Sequence, residues 1–413
     1  MSIHDQVHTK ILKSKSDVDD WFKEKRVGLK FPLYSSFDIR DSGCKIAPVD
    51  ANLYPAGFNN ICLTDQDSAV DLMKTFLTDH YEDVKTVMLF TEEHTGNPYY
   101  ADNARAIKTI LERAGFDAQI AWPRKFESGS LTLETASGAT IDVQEAHREG
   151  AGVMVNGKAI DLVISNNDFT QKYDEFMEGL ETPVNPPYQL GWHNRRKDKF
   201  FTLYNELVGE FSQLIGLTPC LLRIFTETHN DFDINDEESR KKLALHVDEF
   251  LDRIRGNYSH CSVQYEPYVY IKNSAGTYGL GVTTARSGKD VEEWNNKTRK
   301  KMKAAKGGGG IQQVILQEGV PTEVSESGNA AEPVIYMLGC QLAGGFLRTH
   351  DKKGATESLN SPGAVYKRLC VSDLNVSVEG NPLENVYGWI AKIGFLALAR
   401  EAREMNADFS TYR

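Results

Sequence analysis

Two spacings of apolar residues run through the chain, and the places where one gives way to the other mark its elements. Residues 84–90 form a continuous apolar run suited to a buried strand, and residues 91–100 are a polar loop carrying Gly96 and Pro98. Ala104, Ile107, Ile110, Leu111 and Ala114 then recur at helical spacing, Gly115 is placed as a C-terminal stop, and residues 117–122 read as the next strand. This is a βαβ unit. A second buried strand, residues 161–165, ends at Asn166-Asn167-Asp168, either a turn with left-handed asparagines or the carboxyl edge at which open α/β sheets present ligand-binding groups. Leu243, Leu245, Val247, Phe250, Leu251 and Ile254 define a helix within residues 236–255. Residues 294–306 predict a basic helix that runs into four glycines, 307–310, a hinge or lid edge. Residues 332–338 and 341–348 predict a hairpin through Gly339, and residues 383–405 an amphipathic helix.

The strongest chemical signal lies where a β-branched and aromatic strand, residues 269–272, delivers Lys272 to a loop with Gly276, Thr277, Gly279 and Gly281. Glycines free the backbone to close N–H groups over an anion, and the lysine adds a point charge. Neither the P-loop string nor the dinucleotide G-x-G-x-x-G is present, because here the lysine precedes the glycines. A plain hairpin turn gives the same pattern.

Composition narrows the partners. Lys and Arg number 47 against 58 Asp and Glu, a net charge of -11, which opposes nonspecific nucleic-acid binding and favours small molecules. The 413 residues exceed one ordinary core, so two or three packed units are expected. Cysteines 44, 62, 220, 261, 340 and 370 show no C-x-x-C pair, so neither a zinc site nor a disulfide framework is expected, and a reducing, cytoplasmic setting fits. The longest apolar stretch, residues 390–399, is interrupted by Lys392 and too short for a membrane span. A basic cluster containing Arg195, Arg196, Lys197 and Lys199 is a solvated surface or a carboxylate site.

The order of these signals resembles the ATP-grasp ligases and their glutathione-synthesis branch: Lys272, the glycine loop, a helix, Ile315-Leu316-Gln317-Glu318-Gly319, a hairpin with Arg348, then Asn360 and Gly363. Residues 37–40, 47–60 and 344–348 are similar to the ATP-grasp-like glutamate-cysteine ligases of proteobacteria, a resemblance covering nearly the whole chain. It implies an α/β (α+β) fold, with ATP and Mg²⁺ as cofactors and L-glutamate and L-cysteine as substrates. The γ-carboxylate would pass through an acyl phosphate to γ-glutamylcysteine. A glutathione synthetase would share every ATP-side residue. A homo-oligomer is compatible with the sequence.

By this resemblance Lys272 and the loop to Gly281 contact phosphates, and Gln317, Glu318, Gly319 and Val320 line the adenine. Arg348, with Asn360 nearby, neutralises the phosphoryl group in transfer. For the glutamate α-carboxylate the candidates are Arg40, Arg195 and Arg196, followed by Asn59, Asn60, Asn167 and Tyr99. The metal-bearing strand pair that usually closes such folds is missing after the last helix. Residues 35–52 read instead as a hairpin about Asp41-Ser42-Gly43 with Asp38, Asp50 and Asn52 as hard ligands, which implies a circular permutation. The Asp38-to-Asp50 separation fits only if a bulge near Pro48 takes up a residue. An Asp-x-Asn turn before proline remains open, as does Glu357 with Asn360. The expected units are residues 1–60 (hairpin), 61–210 (α/β substrate domain) and 211–413 (nucleotide region).

Overall fold

The computed structural model describes residues 2–93, 97–261, 263–275, 281–303, 312–409 and 412. Gly276, Thr277, Gly279 and the tetraglycine lie outside them.

Among the described residues the fold is mixed α/β, built on three main sheets. Thr86–Thr91, the helix Pro98–Arg113 and Asp117–Trp122 form the expected βαβ unit, and Leu162–Asn166 lies parallel on the other side of Thr86–Thr91. Asn97 caps the helix by accepting from the Tyr100 N–H, and Pro98 follows at its first position, where its missing N–H costs nothing.

The second sheet joins the two ends of the chain. The hairpin Tyr34–Asp41/Ile46–Asn52 lies antiparallel along the hairpin Asn329–Leu338/Gln341–Thr349, with Tyr34 opposite Leu338 and Asp38 opposite Val334. Strand residues alternate faces, so Phe37, Ile39, Ile335 and Met337 point one way, and Asp38, Arg40, Glu332 and Arg348 the other. The apolar face is covered by the helix Val386–Glu404, which approaches closely because Gly394 leaves room for the Phe37 ring: a Cβ there would lie 2.6 Å from it. The polar face is left to form a site.

The third sheet is four-stranded and antiparallel, with Val314–Glu318 between Thr226–His229 and Val269–Asn273. A separate apolar core beneath it has its buried members among residues 232–316, including Leu243, Phe250 and Ile271, with Phe225 packed against it, while the main core takes in residues near both chain termini.

Several sequence expectations are corrected. The helices Ile3–Lys13 and Lys15–Arg26 were not anticipated, and the helix Lys197–Leu214 runs through the boundary expected near residue 211. Within the basic stretch 294–306 the helix spans Asn296–Lys303, preceded by a separate short helix, Gly288–Glu292, and residues 304–306 lie outside the described residues. The cysteines are corrected too: Cys62 pairs with Cys370 and Cys220 with Cys261, at Cα separations of 6.0 and 6.3 Å, leaving Cys44 and Cys340 free. Pairs 308 and 41 residues apart carry no spacing signature. Their presence removes the ground on which a reducing compartment was expected. Among the described residues no helix is long and apolar enough to cross a membrane.

Candidate active site

Two cavities open on the polar face of the terminus-joining sheet and meet at Asn360, which lines both. The smaller, about 50 Å³, is walled by Asp38, Asp50 and Glu332 against Arg40, Lys197 and Lys272.

Asp38 and Asp50 face each other across the N-terminal hairpin, with the register shifting between Asp38 and Ile39 so that Ile39 pairs with Pro48. This is the bulge that the spacing required. The bulged residue, Val49, turns its carbonyl to Lys272 Nζ at 2.9 Å, and the same ammonium donates to Gln317 Oε1 at 2.6 Å. Burial holds the Lys272 pKa down from 10.5 to about 8, with Asp50 opposing and Lys197 assisting. Burial pushes the Asp50 carboxyl up, but Lys197, 2.5 Å away, and Lys272 outweigh it and the net shift is downward.

Arg348 ties the two hairpins together. Its Nη1 donates to Asp38 Oδ2 at 2.5 Å and Glu332 Oε1 at 2.7 Å, while Arg40 Nε ion-pairs with Glu332 Oε2 at 2.6 Å. Burial, reinforced by Glu332 and Asp50, raises the Asp38 carboxyl despite Arg348, whereas the two guanidiniums outweigh burial at Glu332 and lower it. Asp38 Oδ1 and Arg348 Nε are buried without a hydrogen-bond partner. Such orphans in a charged cleft cost free energy unless something external pairs with them.

The larger cavity, about 790 Å³, lies between this sheet and the carboxyl edge of the parallel sheet. Arg348, Asn52, Asn59, Asn60 and Tyr99 line it, with Tyr99 72% exposed at the rim.

Other anticipated residues are occupied elsewhere. Arg195 is buried and paired through two nitrogens with Glu401, at 2.9 and 3.0 Å, and donates to the Ala51 carbonyl: it is a strut behind the site. Arg196 is exposed and bonded to the Trp192 and Arg195 carbonyls, and Asn167 is spent on Thr91 and Phe169 backbone. Arg40 lines the small cavity, with both terminal nitrogens held by the Ala355 and Glu357 carbonyls. Glu357 is engaged by Lys353 and the Gly354 N–H, within its own turn.

The strand expected to face adenine is internal to its sheet. Glu318 N–H donates to Phe225 and Gly319 N–H to Tyr268, so neither amide is open to a purine. The fully buried Glu318 carboxylate accepts from Lys45 at 2.8 Å, Tyr258 at 2.6 Å and the Phe225 N–H at 3.0 Å. Gln317 packs on Lys272, with its Nε2 buried and unpartnered. Val320 is buried in the main core, and Gly281 keeps a positive φ of 62°, its carbonyl accepting from Asn273 N–H.

Glu332, Tyr270 and Glu92, which line the cavities, were not singled out as site residues, and Asp168 only as part of the Asn166-Asn167-Asp168 strand end. Glu332 is the first residue of the first arm of the predicted hairpin, but only pairing places it opposite Arg348.

A sheet completed by an N-terminal hairpin, with a charged cleft opening into a larger chamber, is an arrangement suited to an enzyme acting on small polar substrates. The model of the glutamate-cysteine ligase family matches residues 8–402, and the chain belongs to that family. A solved structure from Methylobacillus flagellatus KT, provisionally named gamma-glutamylcysteine synthetase, is similar with a TM-score of 0.86 and 32% identity over 96% of both chains. D-alanyl-alanine synthetase A from Vibrio cholerae O1 biovar eltor str. N16961 is similar only at a TM-score of 0.35 and 12% identity, over 78% of this chain and 81% of that one, too distant to support a comparison. No curated protein matches the chain.

Proposed function

We propose that the protein joins the γ-carboxylate of L-glutamate to the α-amine of L-cysteine with ATP, at the seam between its two cavities. The observation that carries this reading is the Asp38–Arg348–Glu332 network, which links the charged cleft to the larger chamber through a single guanidinium.

In this reading Lys272 and Lys197 receive the phosphates, and the γ-carboxylate approaches from the chamber side to attack the terminal phosphorus. Arg348, with Asn360, stabilises the charge that spreads over the transferring phosphoryl oxygens. Cysteine then displaces phosphate from the acyl phosphate. The protein binds, orients and excludes water, and needs no nucleophile of its own.

Hard oxygen donors on the first hairpin support a metal site. Asp38 Oδ1 is orphaned, Asp50 lies opposite it, and Asn52 is two residues on along the same strand face, a donor set of hard oxygens. Asp38, Asp50 and Asn52 would hold Mg²⁺, which when bound supplies charge neutralisation between phosphates. The pairing of the first hairpin with Asn329–Leu338, which joins N-terminal strands to a sheet of the C-terminal half, supports a circularly permuted ATP-grasp arrangement.

The test is ADP release from Mg-ATP with glutamate alone, cysteine alone, both, and γ-glutamylcysteine plus glycine, with the product identified by mass. Release that needs both amino acids and yields γ-glutamylcysteine is expected; release only with the dipeptide and glycine would instead identify a glutathione synthetase.

A further inference from the structure

We infer that His350 is a positioning residue for the reaction proposed above: its ring anchors the segment 358–361, the wall that the two cavities share, and so fixes Asn360 at their seam. This rests on that reading and adds the side chain that sets the geometry of its transfer step.

The segment belongs to a loop, residues 350–364, that leaves and re-enters one sheet at the same place. Thr349 pairs with Val365, and the Thr349 hydroxyl donates to the Val365 carbonyl at 3.3 Å. Ser358 and Asn360 line the cleft, and Asn360, Ser361, Pro362 and Gly363 line the chamber. Residues 350–364 are turns and bends, so side chains have to hold them in place. Arg40 and Tyr270 hold the middle of the loop. Arg40 donates from Nη1 to the Ala355 carbonyl at 2.8 Å and from Nη2 to the Glu357 carbonyl at 2.7 Å, and the Tyr270 hydroxyl donates to the Thr356 carbonyl at 3.1 Å.

His350 holds the far side. Its ring is 4% exposed, with Nε2 3.1 Å from the Pro362 carbonyl oxygen and Nδ1 3.1 Å from the Lys352 amide nitrogen. An amide N–H only donates and a carbonyl only accepts, so Nδ1 is the acceptor and Nε2 carries the proton directed at Pro362. The fit is close: Gly363 has a φ of +97°, and a Cβ there would lie 3.2 Å from Nε2. Segment 358–361 is therefore strung between Glu357, fixed by Arg40, and Pro362, fixed by His350, with Leu359 fully buried between them.

Two tasks of the ligation depend on that wall. Asn360 has to stand beside Arg348 where charge develops on the transferring phosphoryl group, and a group held there in advance costs no reorganisation at that moment. The wall also keeps water from the acyl phosphate until cysteine attacks. When water attacks in place of the cysteine amine, the acyl carbon–oxygen bond breaks, glutamate and phosphate leave, and ATP is hydrolysed without ligation. A slack wall therefore shows as ADP formed in excess of γ-glutamylcysteine.

His350→Asn and His350→Gln test the anchor as a pair. Asn places an acceptor near the position of Nδ1 and falls short of Pro362, whereas Gln places its amide N–H near the position of Nε2. Formation of γ-glutamylcysteine by the wild type is measured first; its absence would refute the reaction itself, and the exchange measurement below would still decide the anchor. His350→Asn is expected to lower kcat about thirtyfold while the KM values for ATP, glutamate and cysteine change less than about threefold. Its ratio of ADP to γ-glutamylcysteine should rise from about one to above about two as water reaches the acyl phosphate. His350→Gln should bring kcat back to within about threefold of the wild type and the ratio back to about one. Hydrogen exchange over residues 358–364 reads the anchor without substrates, and should be about tenfold faster in His350→Asn and close to wild type in His350→Gln. If His350→Asn does not fold, Gly363→Ala, whose Cβ crowds Nε2, carries the same expectations. A folded variant with wild-type kcat and ADP still matched to product, a Gln variant no better than Asn, or unchanged exchange would overturn the proposal.

Discussion

The small cleft sets three carboxylates against three lining cations in about 50 Å³, while the chamber beside it spreads two carboxylates and one arginine among tyrosines over about 790 Å³. Both use the same polar sheet face, so the difference lies in what closes over it. Lys272 and Lys197 come from outside the sheet to fill the cleft, whereas the chamber is closed by loops at a parallel strand edge. Dense opposite charge gives a preorganised electrostatic array, and a roomy aromatic chamber with few charges sorts ligands by shape and by where their charges fall.

If the cleft does the electrostatic work, removing its cation should cost most. Lys272→Ala is expected to lower kcat/KM for ATP about a thousandfold with circular dichroism unchanged, and near-wild-type turnover would end the phosphate role. A buried pair outside both cavities gives the contrasting case. Glu318→Gln leaves the fully buried Lys45 without its counter-ion, so unfolding in urea should show a loss of about 3–5 kcal/mol. Arg348→Lys keeps the charge and loses the fork that reaches Asp38 and Glu332, and steady-state kinetics should show kcat about a hundredfold lower.

The cleft should also respond to pH. The Lys272 pKa is lowered to about 8 by burial first of all, so the ammonium that binds phosphate is present below that value and lost above it. Apparent ATP affinity should therefore weaken as pH rises through about 8, approaching tenfold per pH unit. The stability effect of this one group has the opposite sign. Below about 8 the ammonium is charged in folded and unfolded chains alike and its burial penalty is fully present; between about 8 and 10.5 the folded chain binds fewer protons and that penalty is relieved. A flat ATP affinity from pH 7 to 9.5 would contradict the assignment. The smallest effect belongs to the chamber rim, where Tyr99→Ala should change the substrate KM values less than about threefold because the ring is already 72% exposed.

The hairpin with Asp38 and Asp50 was legible because β-turn chemistry at Ser42-Gly43 and the Asp-x-Asn string are local, and even the bulge could be inferred from a separation one residue too long. The arginines show where local reading stops. Arg195, Arg196, Arg40 and Arg348 look alike in sequence, but Arg195 is locked on Glu401, 206 residues away, while Arg348 reaches a chamber with an unspent Nε. The adenine expectation met the same limit, since a strand ending in Gln-Glu-Gly reads identically at a sheet edge and between two neighbours.

Periodicity and turn residues determined the βαβ unit and the two hairpins, because each is decided by neighbours within a few residues. Only the tertiary structure decided that the first hairpin lies beside the last, that Glu332 shares Arg348 with Asp38, and that four of the six cysteines pair. Those pairings join segments up to hundreds of residues apart, and a carboxylate's partner is set by which strands lie side by side, information that no single window of sequence holds.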